Sequence, residues 1–399
     1  MKKNTKKIVF LLFDGLADLP INGTTPLKEA KKPNLDYLAK NGVTGELTVL
    51  PNSFWKDKPL GSHNLGISLL GFNPKKYPTQ RGPLEAVGTD IPYQEGHLAI
   101  RCNLATVDEN LKVIDRRAGR ATYGLDDIVR YVNTHVDIGV PFTFLRTYGH
   151  RCILILKKNL DDGITPNDPF KSGERVNPIG ALSKEAEESA ELVQRFVDKF
   201  YDLAQYHPKN FERKKKGLLP ANYLLVRQAG NKLLDLPNFP KKHKLDKAVC
   251  LAENGAVKAV CMLADFNSVT IPEMPFRESL EFIFDNIEEL LTNYPLVYVH
   301  IKWTDEPGHD GNFKEKVRMI EAIDKHLEAF KKFDGILVFT TDHITSTEFK
   351  DHMPGKVPLL IFGKGKGKDN VKTFDEFSVK KGRLKNYTPQ KLWRYALGK

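Results

Sequence analysis

Three short segments place hard metal ligands directly behind apolar runs. Asp14 follows Lys7 to Phe13 (KIVFLLF). The segment Thr304-Asp305-Glu306-Pro307-Gly308-His309-Asp310-Gly311 follows Leu296 to Lys302 (LVYVHIK). Thr341-Asp342-His343 follows Gly335 to Phe339 (GILVF), with Asp351-His352 further on. Carboxylates and imidazoles brought together are natural ligands for divalent zinc, manganese or magnesium. Two such ions roughly 3.5–4 Å apart can clamp both the attacking and the leaving oxygen of a displacement. A single Asp behind a strand is commonly a helix cap or a turn former. The weight comes from the recurrence, with His309, His343 and His352 among 11 histidines in the chain. Pro307 and Gly308 argue that Asp305 to His309 is a fixed loop and not a regular helix.

A metal pair needs a nucleophile to activate. Pro59-Leu60-Gly61-Ser62 leads into a helix-like stretch, Asn64 to Leu70, ended by Gly71. Ser62 therefore stands where a helix N-terminus favours an anion or a phosphoryl group. Taken alone it reads as an ordinary N-cap. A serine hydroxyl becomes a competent nucleophile when a base or a metal activates it, so Ser62 makes chemical sense beside the proposed ligands.

The elements that must position these residues are legible in the apolar pattern. Lys7 to Phe13, Leu296 to Lys302, Gly335 to Thr341 and Val357 to Phe362 read as strands buried on both faces. Helices are predicted over Asn34 to Asn41 and Phe313 to Lys332. Strand, helix, strand at this spacing indicates a doubly wound α/β layer, whose loops at the strand carboxyl ends converge on the ligand crevice. The middle of the chain differs. His97 to Val107, Lys112 to Ile114, Phe142 to Tyr148, Arg151 to Lys157 and Tyr223 to Arg227 read as strands, with a long amphipathic helix from Lys184 to His207 and a basic loop from Phe211 to Gly217. The reading is an α+β domain over 90–243 inserted into an α/β domain of 1–89 and 244–399. Lys247 to Met262 supplies the strand and helix that re-enter the outer domain.

The bulk numbers narrow the function classes. At 399 residues two domains are expected. Hydrophobic residues are 41% and charged residues 28%, ordinary for a globular protein, and no apolar run reaches the roughly 20 residues that span a bilayer. The basic start is followed by an apolar run too short for a signal peptide, so a cytoplasmic location is expected. Cys102, Cys152, Cys250 and Cys261 are scattered singly and read as core residues. The net charge of +11 suggests a nucleic-acid binder, but the lysines fall in short separated groups without interleaved aromatics. A positive field around an anionic substrate fits equally, and no nucleic-acid partner is expected.

Quoted in order, the motifs resemble the archaeal type of cofactor-independent phosphoglycerate mutase, in the alkaline phosphatase superfamily. They are Leu12-Phe13-Asp14-Gly15, Thr25-Pro26-Leu27, Lys32-Pro33-Asn34, Gly61-Ser62 and Leu69-Leu70-Gly71. Arg81-Gly82-Pro83-Leu84-Glu85-Ala86, Arg101-Cys102-Asn103, Asp115-Arg116-Arg117-Ala118-Gly119-Arg120, Asp161 to Gly173 and Leu219 to Asn222 follow, then the three ligand segments. The resemblance implies an alkaline-phosphatase-like fold with an inserted substrate-binding domain and two divalent ions (manganese, zinc, cobalt or magnesium), with no 2,3-bisphosphoglycerate. Asp14, Ser62, Asp342 and His343 would hold one ion, and Asp305, His309 and His352 the other. Ser62 would carry the phosphoryl group between the 3- and 2-positions of a small phosphoglycerate. Arg116, Arg117, Arg120, His150, Arg151 and Arg227 are the candidates for gripping it, as the planar arginine fork suits carboxylate and phosphate. Lys302 could face the phosphate. The chain departs from the family pattern at His63 and Gly66, and at Phe170, where the family typically carries histidine. These departures keep a metal-dependent phosphatase, or a mutase for another phosphometabolite, as the alternative.

Overall fold

The computed structural model describes residues 7–55 and 61–399. Met1 to Lys6, in the basic start, and Pro59 and Leu60, in the segment leading to Ser62, lie outside the described residues. The chain divides into two compact units. One comprises residues up to Tyr77 with Leu236–Glu253 and Val260–Lys399; the other comprises Pro78–Asp235 with Asn254–Ala259.

The first unit is built on an eight-stranded sheet. Its order is Leu384–Tyr387, Val43–Leu47, Val357–Gly363, Ile336–Thr341, Ile8–Phe13, Leu296–Ile301, Val249–Ala252, Asn267–Thr270. Among these, Val357–Gly363 runs antiparallel to both neighbours and the remaining pairs are parallel. The sheet is thus mixed, with Ile8–Phe13 parallel to both of its neighbours. Burial on both faces gives a parallel and an antiparallel central strand the same composition. Ile8–Phe13 forms a strand because every one of its side chains finds apolar cover. Val9, Leu11 and Phe13 join one core with Ile283, Ile287 and Ile320, while Phe10 stacks on Tyr298 and Trp393 on the other face.

The second unit is an antiparallel sheet in which His97–Val107 pairs with Val113–Asp115, Arg151–Asn159 and Tyr223–Gly230, and Phe142–Tyr148 pairs with Arg151–Asn159. Alternation along a strand sends successive side chains to opposite faces. Leu98, Ile100, Cys102 and Leu104 enter the core with Phe196 and Phe200 of the long helix Glu187–Ala204. Residues 78–89, assigned from sequence to the outer domain, belong to this unit, because the helix Arg81–Val87 packs on three of its strands. The approach is close enough to require glycine: a Cβ on Gly82 would lie 1.9 Å from the Ala99 carbonyl oxygen. Residues 236–243 go the other way, with Phe239 edge-on to Trp393 at 4.9 Å.

Two further expectations are corrected. The segment Phe211 to Gly217 is not a loop over its length, since Pro208–Lys215 is a helix with Pro208 in its first turn and His207 as its cap. Asp305 to His309 is likewise helical, within Asp305–Asp310, ended by Gly311 in the left-handed region. Pro307 is accommodated because the first turn of a helix leaves its N–H groups unbonded anyway. The four cysteines are all buried and unpaired. No helix among the described residues is long and apolar enough to cross a membrane.

Candidate metal centre and arginine cluster

Four adjacent strands of the first unit, Ile336–Thr341, Ile8–Phe13, Leu296–Ile301 and Val249–Ala252, end beside one another. The register pairs Phe13 with both Ile301 and Thr341. Asp14, Asp342 and the residues after Ile301 are therefore neighbours by construction. The Asp14 N–H donates to the Ile301 carbonyl at 2.8 Å, and Thr304 Oγ1 donates to the Asp14 carbonyl at 2.6 Å. Because Asp305–Asp310 is helical, Asp305 and His309 stand at i and i+4 on one face, with His309 Nε2 3.3 Å from Asp305 Oδ2.

Single ligand atoms from Asp305, His343 and His352 all lie within 4.8 Å of one another, as do those of Asp14, His300 and Asp342. His343 Nε2 is 3.0 Å from Asp14 Oδ1 and 3.5 Å from Asp342 Oδ1, so it bridges the two groups. His309 and His352 face each other Nε2 to Nε2 at 3.1 Å. Hydrogen bonds behind the ligands orient their rings. The Thr345 hydroxyl donates to Asp305 Oδ1 at 2.6 Å, and its single proton is thereby used. It then accepts from His343 Nδ1 at 3.0 Å, which leaves His343 Nε2 turned to the carboxylates. His309 Nδ1 lies 3.1 Å from the Lys350 carbonyl, which makes that nitrogen the donor and aims Nε2 inward. The Gly15 turn allows the approach, at φ +59, with Thr345 Oγ1 2.3 Å from where a Cβ would stand.

Behind the cluster lies a fully buried ion pair. Lys316 Nζ donates to Asp18 Oδ2 at 3.2 Å and to the carbonyls of Thr345 and Ala17 at 2.7 and 3.1 Å.

These donors fit divalent cations. Asp342 Oδ2 and His300 Nε2 are buried and make no hydrogen bond among the described residues. The His309 and His352 Nε2 atoms, 3.1 Å apart, meet through a proton or a cation. Burial pushes the Asp342 carboxyl up to about 7, against the nearby His343. Burial works against charge on His343 too, but the Asp342 and Asp14 carboxylates raise it to about 10. Burial holds His300 neutral, near 4. The cluster so keeps protons at neutral pH that a dication would displace.

Ser62 is half-buried at the first position of the helix Ser62–Leu69. Among the described residues it makes no hydrogen bond with the other six expected ligands, which are drawn together. Lys302 follows its strand and places Nζ 3.5 Å from Glu253 Oε2.

The six basic candidates of the second unit share one field. Arg116 makes a two-point contact with Asp168 at 2.9 and 2.6 Å, and Arg227 Nη1 donates to the same carboxylate at 2.9 Å. Burial and then the Arg151, Arg117, Arg101 and Arg227 charges press His150 down to about 2, so it is neutral. Burial opposes charge on Arg117, as do Arg120, Arg151 and Arg116. Arg213, with no exposed surface, holds the Arg116 to Arg120 loop by donating to the carbonyls of Ala118, Ala121 and Tyr123. Phe170 is 55% exposed at φ 62°, its ring 5.5 Å from the Arg116 guanidinium.

Sequence reading missed His300 and Thr345 as members of the cluster. The imidazole inside the apolar run LVYVHIK was the available signal for His300. Thr345 gave none, since a threonine in a strand is ordinary.

A curated relative from Methanocaldococcus jannaschii, a 2,3-bisphosphoglycerate-independent phosphoglycerate mutase, is 36% identical over 395 residues, covering 96% of this chain and 94% of its own. The chain belongs to the 2,3-bisphosphoglycerate-independent phosphoglycerate mutase family. The profile of that family matches residues 39–210, and its members are isomerases, intramolecular phosphotransferases. A mutase of the same description from Archaeoglobus fulgidus is 35% identical over 396 residues, covering 94% of each chain. Among solved structures, the cofactor-independent phosphoglycerate mutase of Thermoplasma acidophilum is similar with a TM-score of 0.62 and 28% identity, covering 98% of this chain and 99% of its own. A protein from Pyrococcus horikoshii has a TM-score of 0.76 and 27% identity, covering 99% and 98%. The mutase fold thus extends over both units of this chain.

Proposed function

We propose that the chain interconverts 3-phosphoglycerate and 2-phosphoglycerate through a phosphoserine on Ser62. The observation that carries the reading is the convergence of Asp14, Asp305, Asp342, His343 and His352, with buried ligand atoms left without hydrogen bonds among the described residues, in a chain of this family. Asp14, Ser62, Asp342 and His343 would hold one divalent cation, and Asp305, His309 and His352 the other. His300 stands beside the first set. When bound, such a pair supplies Lewis-acid stabilisation of the phosphoryl oxygens and lowers the pKa of the serine hydroxyl.

The chain's own residues account for the rest. Ser62 Oγ gives up its proton and forms a bond to phosphorus; the bond from phosphorus to the glycerate oxygen breaks, and that oxygen takes up a proton. The other glycerate hydroxyl then loses its proton and attacks the phosphorus of the phosphoserine; the bond from phosphorus to Ser62 Oγ breaks, and Ser62 Oγ takes up a proton. The phosphoryl group is returned to the molecule it left, so no 2,3-bisphosphoglycerate is required. The helix Ser62–Leu69 directs its positive dipole end at the charge on the phosphoryl group. Arg116, Arg117, Arg120, Arg151 and Arg227 bind the carboxylate and phosphate, with neutral His150 as a hydrogen-bonding group among them. Lys302 supplies a further positive charge for the phosphate.

The test is a coupled mutase assay on metal-stripped protein, reconstituted with manganese, zinc, cobalt or magnesium in turn. Turnover without 2,3-bisphosphoglycerate, restored by at least one ion, is expected. Hydrolysis of phosphomonoesters with no mutase turnover would favour the phosphatase alternative, for which Phe170 over Arg116 is the motivating feature.

A further inference from the structure

The arginine cluster contains a second buried carboxylate, Glu85. It comes from the helix Arg81–Val87 and is 5% exposed. Arg81 Nε donates to Glu85 Oε1 at 2.7 Å. Arg101 Nε lies 3.6 Å from the same oxygen and makes no hydrogen bond among the described residues. The sheet explains why these groups meet. Arg101 stands directly opposite Arg227 in the strand register, and Arg151 stands opposite Asn103 two residues along. Alternation places all three arginines on the face away from the main core, the face on which the Glu85 helix packs. Glu85 is charged throughout the neutral range, because Arg81, Arg101 and Arg151 outweigh its burial and hold it down to about 2.

The arrangement repeats what Asp168 does nearby. Asp168, with no exposed surface, hydrogen-bonds Arg116 and Arg227; Glu85 hydrogen-bonds Arg81 and is the counter-charge beside Arg101, whose Nη1 donates to Gln228 Oε1 at 3.2 Å. A buried guanidinium surrounded by other guanidiniums has no reason to hold one orientation unless a counter-charge fixes it. An anion is bound well by forks whose geometry is set beforehand.

We propose that Arg81 and Arg101 belong to the anion-binding set and that Glu85 is their positioning residue, holding both guanidiniums ready for a phosphate or carboxylate. The inference rests on the proposed function only in taking the anion to be phosphoglycerate.

The experiment is calorimetric titration of inorganic phosphate into the full-length protein, as wild type, Glu85→Gln and Arg101→Lys, with mutase kinetics in parallel. Glu85→Gln keeps the volume and removes the charge. Arg101→Lys keeps the charge and loses the Nε approach to Glu85, and it carries the test if the first variant fails to fold. Both are expected to bind phosphate about tenfold more weakly, Glu85→Gln through the lost charge-assisted hydrogen bond to Arg81 and Arg101→Lys through the lost guanidinium fork. KM for 3-phosphoglycerate should rise with it, by more than kcat falls. Coulomb's law alone predicts the opposite sign for Glu85→Gln, since removing a negative charge strengthens the field. Phosphate bound as tightly or more tightly by that variant would overturn the proposal, as would a lower Tm with phosphate affinity unchanged, or no phosphate binding by wild type. If wild type lacks mutase turnover, the proposed function fails, and the phosphate titration still decides the role of Glu85.

Discussion

Thr345 links two residues of the metal cluster, Asp305 and His343, and replacing it by valine removes one hydroxyl at nearly constant shape. In the wild type that hydroxyl joins His343 Nδ1 at 3.0 Å to Asp305 Oδ1 at 2.6 Å, in surroundings where Thr345 has no exposed surface. Thr345→Val leaves the His343 Nδ1–H buried without an acceptor, at a cost of about 1–3 kcal/mol in folding stability. It also frees the imidazole to rotate or to change tautomer, and loss of such a partner weakens metal binding by roughly 10–100-fold. Metal affinity measured by chelator competition on the folded variant separates the two effects, with urea denaturation reading the first. Thr345→Ser, which keeps the hydroxyl, should bind metal within about threefold of wild type, because the hydrogen-bond chain survives. The reasoning is refuted if Thr345→Val binds metal as wild type does, or if Thr345→Ser loses as much affinity as valine.

Gly15→Ala forces a Cβ to within 2.3 Å of Thr345 Oγ1 and 2.6 Å of Asp305 Oδ1 at φ +59; a loss of about 1–3 kcal/mol and lower retained metal after dialysis are expected, and unchanged values of both would contradict the geometry. Lys316→Met strands the Asp18 carboxylate in a fully buried position, so urea denaturation should show a loss of about 3–5 kcal/mol; a loss below about 1 kcal/mol would mean that the pair is not isolated from water. For Glu85 the folded carboxyl lies at about 2 against an ordinary 4.5, so its stabilisation is full above the ordinary value and is lost as pH falls from there toward 2. Comparing denaturation near pH 6 and pH 3, the Glu85→Gln variant should lose about 2 kcal/mol less on acidification than wild type, and parallel acid losses would show that Glu85 is not held charged by its arginines.

The apolar runs were sufficient to find the strands that aim Asp14, Asp305 and Asp342, because continuous burial leaves an unmistakable pattern. The same property hid the direction of Val357–Gly363, since an antiparallel strand covered on both faces has the same composition as a parallel one. The helix Asp305–Asp310 was misjudged from Pro307 and Gly308. Position within the helix, and not residue type, decides whether proline is tolerated, and a six-residue helix has little periodicity to announce its start. Helices Phe276–Asn293 and Arg81–Val87 went unassigned, the second because seven residues containing Gly82 and Pro83 look like a turn. The ligands themselves stood out by type. Thr345, Glu85 and Asp168 did not, since their importance is pairwise: each matters through partners far away in sequence, such as Asp305 for Thr345 and Arg116 for Asp168.

The central claim is that Ser62 carries the phosphoryl group while the Asp and His cluster holds the metals. The direct measurement is acid quenching of metal-loaded enzyme during turnover of 3-phosphoglycerate, followed by intact mass and peptide mapping. One phosphoryl group located on Ser62, absent from chelated enzyme and from Ser62→Ala, is the predicted result. Mutase turnover by Ser62→Ala, or a phosphoryl group mapped to another residue, would contradict it.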